Sequence, residues 1–509
     1  MKVIYSWRNK NWVEERNGTE HWIGNPVVRC LFCGTEVENV QGCFAAVWES
    51  TEKIHLVSDI IGSFPLFYSV TSDSIYISDD AVLIAERTNS IFKADNIYEF
   101  RKTGYVTERE TLFQNIYELN PGTKIIIDKI NGTVDEVKWF QLEYKLLELG
   151  DSVDNVHLFD ECLMKVFSEL TERLNGNTAI VPLSGGLDSR LIVTYLKKVG
   201  YENVVCLSYG RKGNWETQKS QRIASCLGYP WLFVEYNSDK WKNLMRTPEY
   251  YDFLEWSCRG RSIGCLQALP AILEIKKNRL VSDDGIVIPG HALDFTLGSH
   301  ITSDLTQANE NKLIKTILDV HYVLADKLDN YGDIEKWKNS IDIDNPINAY
   351  MLWEYHNRQS KFIANDVRAY EYAGYTFELP LWDIQIQRFA MKLTLDELMD
   401  RKFQRDFTRR IIDPFIGLEE ENKLDYDRGR NSEIIKIKAA LKKNIFINKW
   451  TEWKSIRNRR FNDTNGFLSW LSEADYKMYS TYLGKNFILN SIEADDYIKQ
   501  LSKRFSVNL

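Results

Sequence analysis

Hydrophobic and polar positions change rhythm along the chain. From Gly42 to about Asp128, short β-branched and aromatic runs alternate with turn residues: "CFAAVWE", "IHLVSDI", "PLFYSV", "SIYISDD" and "TKIIIDK". That alternation predicts a β-rich region. The segment "NGTVDEVKWF" predicts a hairpin at Asn131-Gly132, and "DSVDNVHLFDECLMKVFSELTERL" then carries apolar residues at helical spacing behind an Asp or Ser cap. The simplest division falls near residue 150, giving domains over 1–150 and 151–509. Beyond it the order becomes strand, helix, strand: "TAIVPL", "SRLIVTYLKKVG", "NVVCLSYG", "WETQKSQRIASCLG", "PWLFVEY". Alternation at this length predicts parallel strands with right-handed helical crossovers. From about Ser303 helical patterns dominate, through "KWTEWKSIRNRRF" and "DYIKQLSKRF", with no repeats or low-complexity tracts.

Length and composition narrow the class. A chain of 509 residues divides into two or three domains, and 44% hydrophobic with 27% charged residues reads as globular. The formal charge of −8 argues against a general nucleic-acid binder, because phosphate backbones are held mainly by Lys and Arg. The opening "MKVIYSWRNKNW" lacks the apolar core of a signal peptide, and no apolar run approaches the ~18 residues of a membrane span. A cytoplasmic protein without membrane partners is the expectation. Cys30 and Cys33 form a Cys-x-x-Cys with Cys43 ten residues on, but no second close pair or His pair completes a zinc set, so buried thiols are the simpler reading.

Candidate chemistry centres on "NTAIVPLSGGLDSRLIVTYLKKVG", Asn177 to Gly200. Glycines after a buried strand let backbone N–H groups approach a ligand, and the next helix adds free N–H groups and its positive dipole end. Ser184 and Ser189 add hydroxyl donors around Gly185, Gly186 and Leu187, while Asp188 would repel a phosphate unless Mg²⁺ lay between them. A loop of the form G-x-x-x-x-G-K-[ST] has a lysine for the β/γ-phosphates, and this one has none. It resembles instead the S-G-G-x-D-S loop of the ATP pyrophosphatase (PP-loop) enzymes, which cleave ATP between the α and β phosphates and leave an adenylated substrate.

Two more stretches narrow the resemblance to the asparagine-synthetase type, over most of the chain. "VIPGHALDFTLGSH" aligns with that family's S-G-x-G-x-D-E-x-x-G-G-Y, keeping Gly290, Asp294 and Gly298 and departing at Pro289, Ala292, Phe295, Ser299 and His300. "GCFAAVWESTEKIHLVSDIIGSFPLFYSVTSDSIYISDD" and "TLFQNIYELNPGTKIII" resemble its glutaminase domain. The fold so implied is α/β plus α+β: a glutaminase-like (Ntn-type) β-rich sandwich, then a PP-loop parallel α/β domain with a helical C-terminal part. The family's glutaminase uses a cysteine exposed as residue 1 after Met removal, where this chain has Lys2. The resemblance therefore implies an inherited fold with silent chemistry, as in the β-lactam synthetases, lasso-peptide cyclases and synthetase-like proteins of polysaccharide clusters.

On this resemblance the expected activity is an ATP-dependent, AMP-forming amide ligase, with ATP and Mg²⁺ as cofactors. A small-molecule, sugar or peptide carboxylate and an amine or ammonia are its partners; association as a homodimer is left open. Ser184 to Ser189 and Gly290 are expected to hold pyrophosphate, Asp188 and Asp294 the Mg²⁺. Leu207 and Ser208 are expected near the base and ribose, at a strand-order switch. Glu216 matches the family's D-E position or is a solvated helical acid. The second-step groups are sought in "FIANDVRAYEYAGYTFELPLWD", where Thr376 falls on the family's Glu and Glu378 on its Arg; Tyr370, Glu371 and Glu378 are candidates. Lys423, beyond the helix "RKFQRDFTRRI", stands for the lysine that stabilises the intermediates. Two other readings share the loop: a non-catalytic scaffold member, and a tRNA-modifying pyrophosphatase, against which the acidic balance and first domain count. Trp450, Trp453, Arg457, Arg459 and Arg460 stand in a C-terminal part where substrate recognition is sought.

Overall fold

The computed structural model describes residues 1–146, 154–325, 345–419, 463–482 and 488–507. The chain is mixed α/β, a sheet-rich N-terminal region preceding a parallel sheet. Ten strands form two stacked sheets: β1 (Lys2–Ser6), β2 (Val13–Glu15), β3 (Glu20–Gly24), β4 (Phe44–Glu49), β5 (Lys53–Ser58), β6 (Phe67–Val70), β7 (Ser74–Ser78), β8 (Tyr117–Glu118), β9 (Thr123–Asp128) and β10 (Val134–Lys138). One sheet has the order β1-β7-β6-β8, with β1 parallel to β7; the other, β10-β9-β5-β4-β3-β2, is antiparallel throughout. Val47, Leu56 and Ile125 of the larger sheet meet Ile75, Ile77 and Tyr68 of the smaller. The alternating residues Phe44 and Ala46 lie under Val28 and Leu31 of the 3₁₀ turn Pro26–Cys33, so β4 is buried on both faces. Its sequence is accordingly continuously apolar rather than alternating.

The expected hairpin is present between β9 and β10. Its turn is longer than two residues because the Asp128 carboxylate accepts the N–H groups of Ile130 and Asn131, with Gly132 at φ 74° closing the bend.

The parallel sheet comprises β11 (Ala179–Pro182), β12 (Val204–Gly210), β13 (Trp231–Glu235), β14 (Ile286–Val287) and β15 (Thr376–Phe377), in the order β13-β12-β11-β14-β15. The chain runs outward from β11 to β13, then returns to place β14 on the other side. The order therefore reverses at β11, and the crevice this creates opens between β11 and β14 rather than at the end of β12.

Helix α1 (Ala81–Thr88) and α2 (Ala94–Thr103) belong to the first region; α3 (Asn155–Leu174), α4 (Leu187–Lys198) and α5 (Trp215–Leu227) to the second. The buried stripe of α3, Val156, Phe159, Leu163, Val166, Phe167, Leu170 and Leu174, follows the 3.6-residue period, each large side chain contributing about 1.5–3 kcal/mol by burial. Phe159 stacks on Phe389, with its ring centroid 5.5 Å from Phe403 and 4.9 Å from Phe407. This aromatic cluster seats the short helix Lys402–Phe407 beside the start of α4.

A belt of buried ion pairs joins the two regions. Arg259 Nη1 lies 3.5 Å from Asp79 and Nη2 3.7 Å from Glu371, which also pairs with Arg368 and accepts a hydrogen bond from Asn9 Nδ2 at 2.8 Å. Arg261 pairs with Glu118, which lies 3.3 Å from Lys361. The last helix, Ile488–Arg504, packs on α2 and on the helix Pro248–Cys258. Among the described residues no helix is long and apolar enough to cross a membrane.

Candidate active site

The β11 run ends at Leu183, whose N–H donates to Leu207 O, and the chain turns through Ser184-Gly185-Gly186 into α4. Ser189 Oγ accepts the Ser184 N–H at 3.2 Å, and Ser184 Oγ accepts the Gly186 N–H at 3.1 Å. These bonds fix the loop. No side chain caps α4, whose cap residue Gly186 is exposed and extended, at φ −74° and ψ 172°. The first turn thus offers backbone N–H groups without a side-chain cap, beside the Asp188 carboxylate at the positive dipole end, so an anion fits there with a cation between it and Asp188.

The glycines provide room, not unusual torsion. A Cβ on Gly185 would sit 3.0 Å from the Trp215 ring, and one on Gly290 would meet Ser189 N at 2.8 Å. Gly290 therefore lets the loop after β14 lie directly on the loop after β11. Arg190 anchors this arrangement from beneath. Fully buried, it donates to Asp413 at 2.9 Å and to Gly185 O at 3.3 Å.

Asp188 and Asp294 meet at this junction. The Asp294 N–H donates to Asp188 Oδ2 at 3.2 Å, and Gln404 Nε2 donates to Asp188 Oδ1 at 2.6 Å. Withdrawal from water, followed by the charge of Asp294, pushes the Asp188 carboxyl up to about 7. Both line an open cavity of about 350 Å³ with Ser184, Gly186, Leu187, Ser189 and Gly290. Its other walls come from Tyr209 at the end of β12, Cys265, Gln267, His291, Asp366, Tyr370 and Arg401.

The residues present fit a divalent cation. An Asp188 carboxyl whose proton affinity is raised beside Asp294 belongs to an oxygen donor set that a hard cation would relieve. Mg²⁺ typically takes one or two protein carboxylates and completes its shell with water and phosphate oxygens. Among the described residues no group of three or more His, Cys, Asp and Glu side chains is arranged around a common metal position.

The other candidates are distributed differently. Tyr370 borders the cavity, its phenol pushed well above the usual range by burial and nearby groups. Leu207 and Ser208 are buried inside β12: Ser208 Oγ donates to Leu183 O at 2.7 Å, so the strand contributes Tyr209 instead. Glu216, half-buried in the first turn of α5, does not line the cavity; burial raises its pKa.

Glu371, Thr376 and Glu378 line a separate cavity of about 460 Å³ between the two regions, where Arg173 Nε lies 3.2 Å from Glu378. The one-turn helix Arg368–Tyr372 separates the two spaces, with Tyr370 on one and Glu371 on the other. Lys423, Trp450, Trp453, Arg457, Arg459 and Arg460 lie outside the described residues, as does the division near residue 150.

Residues 31–139 match the family model of a glutamine amidotransferase domain. The match covers about one fifth of the chain, within the region whose motifs resemble the glutaminase. Among solved structures, the NH3-dependent NAD synthetase from Campylobacter jejuni subsp. jejuni NCTC 11168, in complex with the nitrate ion, is 14% identical, with 41% of this chain and 94% of that chain covered. Its TM-score of 0.22 is too low to bear on fold or function. No curated protein matches the sequence.

Sequence reasoning missed Gln404, Arg401, His291, Asp366 and Arg190. Gln404 and Arg401 stand in "RKFQRDFTRRI", which the resemblance singles out for its basic residues, and His291 lies beside Gly290 in a motif read only for glycines and acids. Arg190 directly follows the loop motif.

Proposed function

We propose that this protein is an ATP-dependent, AMP-forming amide ligase that activates a carboxylate and transfers it to an amine or ammonia without splitting glutamine. The observation that carries this reading is the meeting of Ser184–Ser189 with Gly290 and Asp294 at the reversal point of a parallel sheet. The loop and uncapped α4 are suited to the charge of departing pyrophosphate. Mg²⁺ held by Asp188 and Asp294 would supply electrostatic stabilisation of the phosphate charge. Tyr370 and Arg401 line the same cavity as the loop and the two carboxylates. A carboxylate is a poor acyl donor because its oxygen leaves poorly; transfer to AMP converts that oxygen into a phosphate leaving group.

The cysteines within residues 31–139 favour an amine source other than glutamine: Cys33 is exposed at the end of a 3₁₀ turn and Cys43 is buried. Burial, with the charges of Glu378 and Asp59, holds the Cys43 thiol well above the usual range, the opposite of an activated nucleophile.

ATP–pyrophosphate exchange tests the reading directly, with a panel of amino acids, uronic acids and short peptides. Exchange with AMP as product is expected for at least one acid, and glutaminase activity is expected to be absent. Exchange with none of them, release of ADP, or glutamine hydrolysis would each sink the corresponding part.

A further inference from the structure

We propose that Arg190 is a positioning residue: it locks the peptide between Gly185 and Gly186 with its carbonyl toward the core and its N–H toward the cavity, and so makes the phosphate loop a donor of hydrogen bonds. This deepens the ligase reading and rests on its assignment of the loop to pyrophosphate.

The first intrahelical bond of a helix is accepted by the carbonyl of its cap residue, which for α4 is Gly186. The carbonyl of Gly185, one residue earlier and buried, needs a donor from elsewhere. Arg190 Nη2 supplies it at 3.3 Å, while Nη1 donates to Asp413 at 2.9 Å. The planar fork of the guanidinium is what lets one side chain serve both.

In a trans peptide the C=O and the N–H that follows it point in opposite directions. With the Gly185 oxygen drawn to the buried Arg190, the Gly186 N–H faces the other way, where it donates to Ser184 Oγ at 3.1 Å. Ser184 and Gly186 are both exposed, and both border the cavity that holds Asp188 and Asp294. Since Ser184 Oγ accepts from Gly186, its own proton is left to be donated, either to Ser189 Oγ, 3.1 Å away, or to an anion in the cavity.

Two successive glycines have no Cβ to hold this peptide in one orientation. Flipped, it would aim the Gly185 oxygen at the cavity, where it would accept the Ser184 hydroxyl and repel a phosphate. One guanidinium therefore decides whether the loop attracts or repels an anion. Stability alone does not account for the pair: the Arg190 and Asp413 side chains are each 1% exposed, and a buried ion pair is often no more stable than packed apolar residues in its place.

The test uses the whole protein, with Mg²⁺ and pyrophosphate as the probe. Gly185-Gly186 is the only Gly-Gly step in the sequence, so protein labelled with [1-¹³C, ¹⁵N]glycine gives a single HNCO signal, the Gly186 amide. In the wild type that signal is expected to move when pyrophosphate is added. Arg190→Lys keeps a charge for Asp413 but cannot fork to both acceptors. Its Gly186 signal is expected to shift or split before any pyrophosphate is added, and its pyrophosphate dissociation constant, read by calorimetry, to rise about 10- to 100-fold. In Arg190→Ala, guanidinium at sub-denaturing concentration restores part of the affinity and returns the signal toward its wild-type position. Weakened binding with an unmoved Gly186 signal would overturn the lock and leave the ligase reading intact, and so would unchanged affinity in Arg190→Lys. A wild type whose Gly186 signal and heat of mixing do not respond to pyrophosphate would remove the assignment of the loop, and the lock with it.

Discussion

Two groups of carboxylates withdrawn from water have opposite settings. In the belt between the regions, Asp79, Glu118 and Glu371 each face at least one guanidinium of Arg259, Arg261 or Arg368. In the cavity, Asp188 faces Asp294 and an amide, with the exposed Arg401 contributing only a minor opposing charge. The belt is internally neutralised and its geometry is complete without a ligand. The cavity leaves negative charge waiting for a cation. Burial of an acid therefore does not by itself mark function; the candidate is the acid that lacks a protein counter-charge and faces an open space.

The largest expected effect breaks the belt. Glu371→Gln leaves Arg368 and Arg259 short of a counter-ion and should cost about 3–5 kcal/mol, read from chemical denaturation. The protein that remains folded should retain exchange; loss of exchange without loss of stability would move Glu371 from structure to catalysis. Next comes the cavity. Asp188→Asn should lower ATP–pyrophosphate exchange about 10²–10³-fold. It should also make the cation-free protein more stable near neutral pH. The native carboxyl, raised to about 7, binds more protons than the unfolded one, so the wild type loses stability as pH rises from about 4 to 7, and the amide does not.

A third test sharpens the same contrast. Because proton and cation compete for Asp188, Mg²⁺ affinity measured by calorimetry should weaken about tenfold per pH unit below 7 and level off above it. An affinity flat between pH 5 and 8 would remove Asp188 from the cation site. The smallest effect is at Gln404, whose amide lowers the Asp188 pKa. Gln404→Leu should shift that pH profile upward and reduce exchange about three- to tenfold.

Local rhythm revealed β4 to β7, β9, β11 to β13 and their helices, because there the side-chain period matches the backbone's. It missed β1 to β3 and the two-residue strands β8, β14 and β15, which are too short for any period to register. The loop at Ser184 and the acid at Asp294 were legible as motifs, since their chemistry constrains successive residues. Gln404 was not: one amide on a helix, brought to Asp188 by the packing of Phe159 with Phe403 and Phe407, leaves no spacing to read. Nor did sequence distinguish Tyr370 from Glu371. Adjacent residues on a helix point to different sides, and only the packing of the Arg368–Tyr372 turn decides which side holds the cavity.

The contact at Gly290 also bears on how this protein can be recombined. With Ser189 N only 2.8 Å from where a Cβ would stand, the two loops tolerate no spacer, though about 100 residues separate them in the chain. A chimera that takes α4 from one parent must take the turn at 288–290 from the same parent, whereas crossovers between the two would be judged by that single fit.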